Sequence, residues 1–108
     1  MSNLFSLKVS ELADKIRSSD LNSVDLCKSY IEQINKFEKD VKAWDYIDKK
    51  LLLEKAEEED NHRRTGKVVG TLHGITVARK DIIGTYDMQT ECGTIVSKGK
   101  TESQNADI

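Results

Sequence analysis

Apolar positions recur at helical spacing in three stretches of the first 56 residues, and after Gly66 they fall in short runs punctuated by glycine. Val9, Leu12, Ala13 and Ile16 fall at i, i+3, i+4 and i+7, which predicts a first helix over residues 8–18. Residues 18–22 form a polar break. A second helix is predicted over 23–38, with Cys27, Tyr30, Ile31 and Ile34 on one stripe that Phe37 extends. Asn22 or Ser23 can supply its N-cap oxygen, and Asp25 suits the positive end of its first turn. The stripe makes Cys27 a core residue. Trp44 and Tyr46 lie in a short connection, where aromatic side chains most often anchor neighbouring helices. A third helix starts after Asp48 and runs to about residue 64. Its first turns carry Leu52, Leu53 and Ala56, whereas residues 57–64 are all polar and read as a solvated face.

The pattern changes near Gly66, so the chain is expected to be one partial domain with a helical part, 1–65, and a strand-and-loop part, 66–108. Residues 75–80 are β-branched or small up to Arg79 and Lys80, and follow a glycine, so they are expected to form a strand. Period-two alternation then puts Thr76, Ala78 and Lys80 on one side and Ile75, Val77 and Arg79 on the other. The expected fold class is therefore α/β: about three helices followed by short strands.

Composition limits the choices further. The chain has 108 residues, of which 33% are charged and 37% apolar, a thin supply of core for its size. Seventeen basic and nineteen acidic side chains give a net charge of −2, with no basic cluster, so nucleic acid is not an expected partner. No apolar run is long enough to span a membrane, and residues 1–7 lack a signal-peptide pattern, so a cytoplasmic protein is expected. Cys27 and Cys92 do not make a disulfide framework in that compartment. With His62 and His73 they show no zinc-ligand spacing, so neither a metal nor another cofactor is expected.

The stretch 70–93, GTLHGITVARKDIIGTYDMQTECG, resembles the opening motif of the amidase signature family, roughly GPLHGIPVAVKDxIDTxxMPTxxGS. An N-terminal pattern of that family also matches, through Glu11, Leu12, Ala13, Ile16, Arg17, Ser18, Leu21, Ser23, Val24 and Leu26. The resemblance covers nearly the whole chain, about the first quarter of the family's length. It implies a fragment of a mixed-sheet fold. It also implies that Lys80 is the base of a Ser, cis-Ser, Lys triad that hydrolyses amide C–N bonds. A lysine that loses water gives up its proton more readily and can then deprotonate a hydroxyl. The MQTECG stretch leans towards general amidases over the family's amidotransferases, and makes Thr90, Glu91 and Cys92 candidates for lining the site. His73 reads as structural.

Several features depart from the family. Proline is absent: Thr71, Thr76 and Gln89 stand at its usual positions. Gly84 stands where Asp or Asn is usual, and Thr94 where Ser is usual. None of the nine serines is flanked by glycines, so the GGSSGGS-like nucleophile stretch is missing from these residues. Whether the chain is itself an enzyme is left open. It is expected to be inactive alone and to act on a small-molecule amide only when completed by a downstream segment. A truncated gene product and one piece of a split enzyme both fit. Uncovered apolar faces and sheet edges would favour a homo-oligomer. The alternative is a non-catalytic helical interaction or oligomerisation module.

Overall fold

The structure is a computed structural model that describes residues 4–80 together with 83, 84, 86, 99, 101, 105 and 106. The chain divides into two compact units, Met1–Thr76 and Val77–Ile108. In the first unit a short 3-10 turn, Leu4–Ser6, precedes α1 (Val9–Arg17), α2 (Ser23–Val41) and α3 (Lys49–Arg64).

Each helix follows from its sequence. The α1 backbone starts with the Lys8 amide donating to the Glu11 carboxylate at 2.8 Å, and it ends where Ser19 takes a left-handed φ of 67°. Leu12, Ala13 and Ile16 are buried as the spacing predicts, but Val9 stays exposed. On α2 the buried residues are Ser23, Leu26 and Cys27; Tyr30, Ile31 and Ile34 are half-buried and Phe37 is exposed. The stripe is therefore deepest one turn nearer the N-terminus than the apolar spacing suggests. Asp48 caps α3 by accepting from the Leu51 amide at 2.9 Å. Leu4, Leu12, Ile16, Leu21 and Leu26 form the core, with Leu7, Tyr30 and Ile75 packed against it.

Trp44 and Tyr46 remain 41% exposed each, so they do not bury themselves between helices. The α2–α3 connection is fastened instead by Glu38, whose two carboxylate oxygens accept from the Ala43 and Trp44 amides at 2.7 Å each.

The expected α/β class is corrected: the described elements are all helical, and no strand or sheet exists among the described residues. Residues 75–80 are irregular, and Thr101 is an isolated bridge residue. Alternation of side chains sets which groups could share a face, but a strand exists only when a neighbour pairs with its amides and carbonyls. Residues 75–80 have no such ladder, and Ile75 packs on the helical core instead. Burial along the segment does not alternate either, since Ile75, Thr76 and Arg79 are half-buried while Val77, Ala78 and Lys80 are exposed.

The second correction concerns residues 57–64, whose polar run predicts a solvated face. Asp60 is 1% exposed and the Arg63 side chain is nearly as deep. Asp60 accepts from the Ser23 amide at 2.7 Å and the Val24 amide at 3.0 Å. Asn22, the N-cap residue of α2, makes no side-chain cap of its own; its Oδ1 accepts from Arg63 at 2.8 Å. Arg63 also donates to the carbonyls of Ile16 and Leu21 at 3.0 Å each. One turn of α3 thus places an anion at the start of α2 and a cation at the end of α1. Both signs suit the partial charges of those helix ends.

Candidate functional site

In the first unit, the segment that opens the GITVARKD motif is a tight turn. The His73 amide donates to the Gly70 carbonyl at 3.2 Å, and the Ile75 amide to the Leu72 carbonyl at 3.1 Å. Three side chains fasten it to the helices. Arg17 of α1 donates to the Thr71 carbonyl at 3.3 Å. Ser23 of α2 donates its hydroxyl to the Gly74 carbonyl at 2.7 Å. His73 turns its ring onto α3, with Nε2 2.7 Å from the Glu59 carbonyl and Nδ1 2.9 Å from the Glu59 carboxylate. That ring is 8% exposed and lies 5.5 Å from the His62 ring. His73 thus ties the turn to the helix.

Gly74 is required at its position. Its φ is +78°, and an added Cβ would sit 3.1 Å from Ile16 Cγ2 and 3.3 Å from Ser23 Cβ. The left-handed backbone disfavours a side chain and the packing leaves little room for one. Here the turn packs directly against α1 and α2.

Beneath the turn, Cys27 is a buried free thiol. Burial pushes the thiol up from its ordinary value; a hydrogen bond with Ser23 pulls it back, and the Asp60 carboxylate adds to the rise. Tyr30 is also raised, by burial and then by Cys27. A thiol held in its neutral form is a poor nucleophile. A shallow cleft of about 490 Å3 is lined by Asn22, Asp25, Lys28, Glu57, Asp60 and Arg64 among others. Both oxygens of Asp60 are already engaged by α2 amides, and Arg64 donates to Asn61. Among the described residues no group of three or more His, Cys, Asp or Glu could hold a metal ion.

In the second unit, Lys80 is exposed and lies outside any helix. Its carbonyl accepts from the Ile83 amide at 3.0 Å, and Arg79 donates to the Ile83 carbonyl at 2.5 Å. Further along, the Ala106 amide donates to the Gly84 carbonyl at 2.8 Å. Thr90, Glu91 and Cys92, expected to line a site, lie outside the described residues.

The residues missed from the sequence are Asp60 and Arg63. A signal existed: Ala56, Asp60 and Arg63 continue the spacing i, i+4, i+7, so the apolar side of α3 runs on as a charged pair. Spacing alone does not reveal the α2 amides that compensate the buried carboxylate.

Comparison with known proteins adds the family. The model of the family described as Amidase matches residues 25–108. The A subunit of the glutamyl-tRNA(Gln) amidotransferase from Leptospira interrogans is 37% identical over 84 residues, covering 78% of this chain and 17% of that protein. The protein of the same name from Fusobacterium nucleatum is 34% identical over 95 residues, covering 87% and 20%. That of Mycolicibacterium gilvum is 31% identical over 109 aligned positions, covering 100% and 22%. The chain therefore spans about a fifth of the length of the curated relatives it matches. These relatives carry the amidotransferase name, against the expected lean of residues 88–93 towards general amidases. No solved structure matches the chain. No helix among the described residues is long and apolar enough to cross a membrane.

Proposed function

The chain belongs to the amidase signature family, and from that premise we propose that these residues supply the lysine arm of an amide C–N hydrolase and are inactive alone. Lys80 is the base. It accepts a proton from the hydroxyl of a cis-serine, which takes one in turn from the nucleophilic serine. The resulting alkoxide attacks the amide carbonyl, and collapse of the tetrahedral intermediate breaks the C–N bond as the leaving nitrogen gains the proton. Water then cleaves the acyl ester. The relatives' name points to a setting in which the released nitrogen passes to an acceptor; a general amidase would release it to solvent. The bond broken is the same.

The observation that carries this reading is the family match over residues 25–108, which includes Lys80 within GITVARKD. The exposure of Lys80 supports inactivity alone, because a base of this kind works under cover from water. The missing serine-rich stretch supports it too. The test fuses the full chain to the part of the Leptospira interrogans relative that follows its matching stretch. Ammonia release from glutamine and from a simple aryl amide is then measured. The fusion is expected to release ammonia and the chain alone to release none. Turnover by the chain alone, or a folded fusion that releases none, contradicts the proposal.

A further inference from the structure

Outside the hydrolase reading, the helical unit holds a histidine gripped at both ring nitrogens. His73 Nε2 lies 2.7 Å from the Glu59 carbonyl, and Nδ1 lies 2.9 Å from the Glu59 carboxylate. A carbonyl and a carboxylate only accept, so each ring nitrogen has to donate. A neutral imidazole carries one N–H and one lone pair, and it can satisfy only one of these two oxygens. The ring that fits the grip is the imidazolium, with a proton on both nitrogens. The side chain is 8% exposed, so water offers little relief to a lone pair turned against an oxygen.

Three helices surround the turn that carries this ring. From α3 the ring faces the Glu59 carboxylate, 48% exposed, and the His62 ring, 5.5 Å away between centroids. The first attracts a cationic ring, and the second repels it when charged. Asp60, the next residue of α3, is turned to the Ser23 and Val24 amides instead. From α1 comes Arg17, bonded to the Thr71 carbonyl. From α2 come the Ser23 hydroxyl, bonded to the Gly74 carbonyl, and the Cys27 thiol, which burial keeps neutral. We infer that the clasp between the turn at residues 70–75 and α3 is gated by a proton: it holds while His73 carries both ring protons and opens when either leaves. The contribution is present at low pH and is lost as pH rises through the loss of that proton. Arg17 and Ser23 keep the turn attached when the clasp opens, so the effect is local. Histidine is the residue type that ordinarily changes charge between about pH 5 and 8. The inference goes beyond the hydrolase reading and does not depend on it.

Nuclear magnetic resonance on the 108-residue chain decides the point, from about pH 5 to 8.5, where Cys27 and Tyr30 stay neutral. Nitrogen shifts of the His73 ring report its protons. Amide exchange at His73 and Ile75, both bonded within the turn, reports the clasp once corrected for its intrinsic pH dependence. The ring is expected to carry both protons at the acid end of the range. As it loses one, protection of the two amides should fall about tenfold, while protection in the middle of α3 stays within about twofold. The exposed His62→Gln should keep this step, and His73→Gln should abolish it. A ring with a single proton at about pH 5, or one that keeps both at about pH 8.5, would overturn the inference. So would a lost proton without lost protection, a step that survives in folded His73→Gln, or a step that vanishes in His62→Gln.

Discussion

Cys27 and Tyr30 lie on the inner side of α2, and both hold their protons more tightly folded than unfolded. Between the unfolded and folded values the unfolded chain binds fewer protons, so stability falls as pH rises. The contribution is complete below the ordinary thiol value of about 8.5 and is lost progressively above it, with tyrosine joining above about 10. Thermal unfolding followed from pH 7.5 to 10.5 should show a falling midpoint. Cys27→Ala should make the decline shallower between about pH 8.5 and 10. Parallel declines in the two proteins would remove Cys27 from the explanation. The burial of Cys27 was legible from its place in a helical stripe. That of Ser23 was not, because a small hydroxyl carries no periodic signal and its partner, Gly74, is 51 residues away.

Of the elements, α3 joins the other two. It caps the start of α2 with Asp60 and the end of α1 with Arg63, which itself lies 3.7 Å from Asp60. Removing the carboxylate leaves two α2 amides unpaired and a buried guanidinium without its counter-charge. Asp60→Ala should therefore destabilise the helical unit by at least about 3 kcal/mol in denaturant titration, a large share of a small domain's stability. The exposed Glu57→Ala on the same helix should change it by less than about 0.5 kcal/mol. Similar effects from both would show that the pair is ornamental. Helix positions were legible: the predicted spans 8–18, 23–38 and 49–64 compare with Val9–Arg17, Ser23–Val41 and Lys49–Arg64. What escaped was the use of charge. Acidic and basic side chains are solvated by default, and only the distant helix ends they meet make burial tolerable here.

At the scale of the molecule, part of the pattern shared with the family is a pattern of packing. Leu12, Ala13, Ile16, Leu21, Ser23 and Leu26 belong to it and all six are buried. Some of the resemblance was thus carried by residues that build the helical unit, with Gly74 set against it. The α/β expectation failed for the complementary reason. Residues 75–80 have the side chains of a strand, but pairing is a property of neighbours, and the described residues provide none. Lys80 is likewise legible as part of a motif, while its exposure was not, since surroundings are set by neighbours rather than by the motif itself.

The most direct test of the account is the kinetic effect of Lys80→Ala in the fusion of this chain to the downstream part of the Leptospira interrogans relative. A general base contributes about 100- to 10,000-fold. The account predicts that kcat/KM for ammonia release from glutamine falls by at least about 100-fold while the melting midpoint stays unchanged. A folded Lys80→Ala fusion that keeps kcat/KM within about threefold of the parent would contradict it.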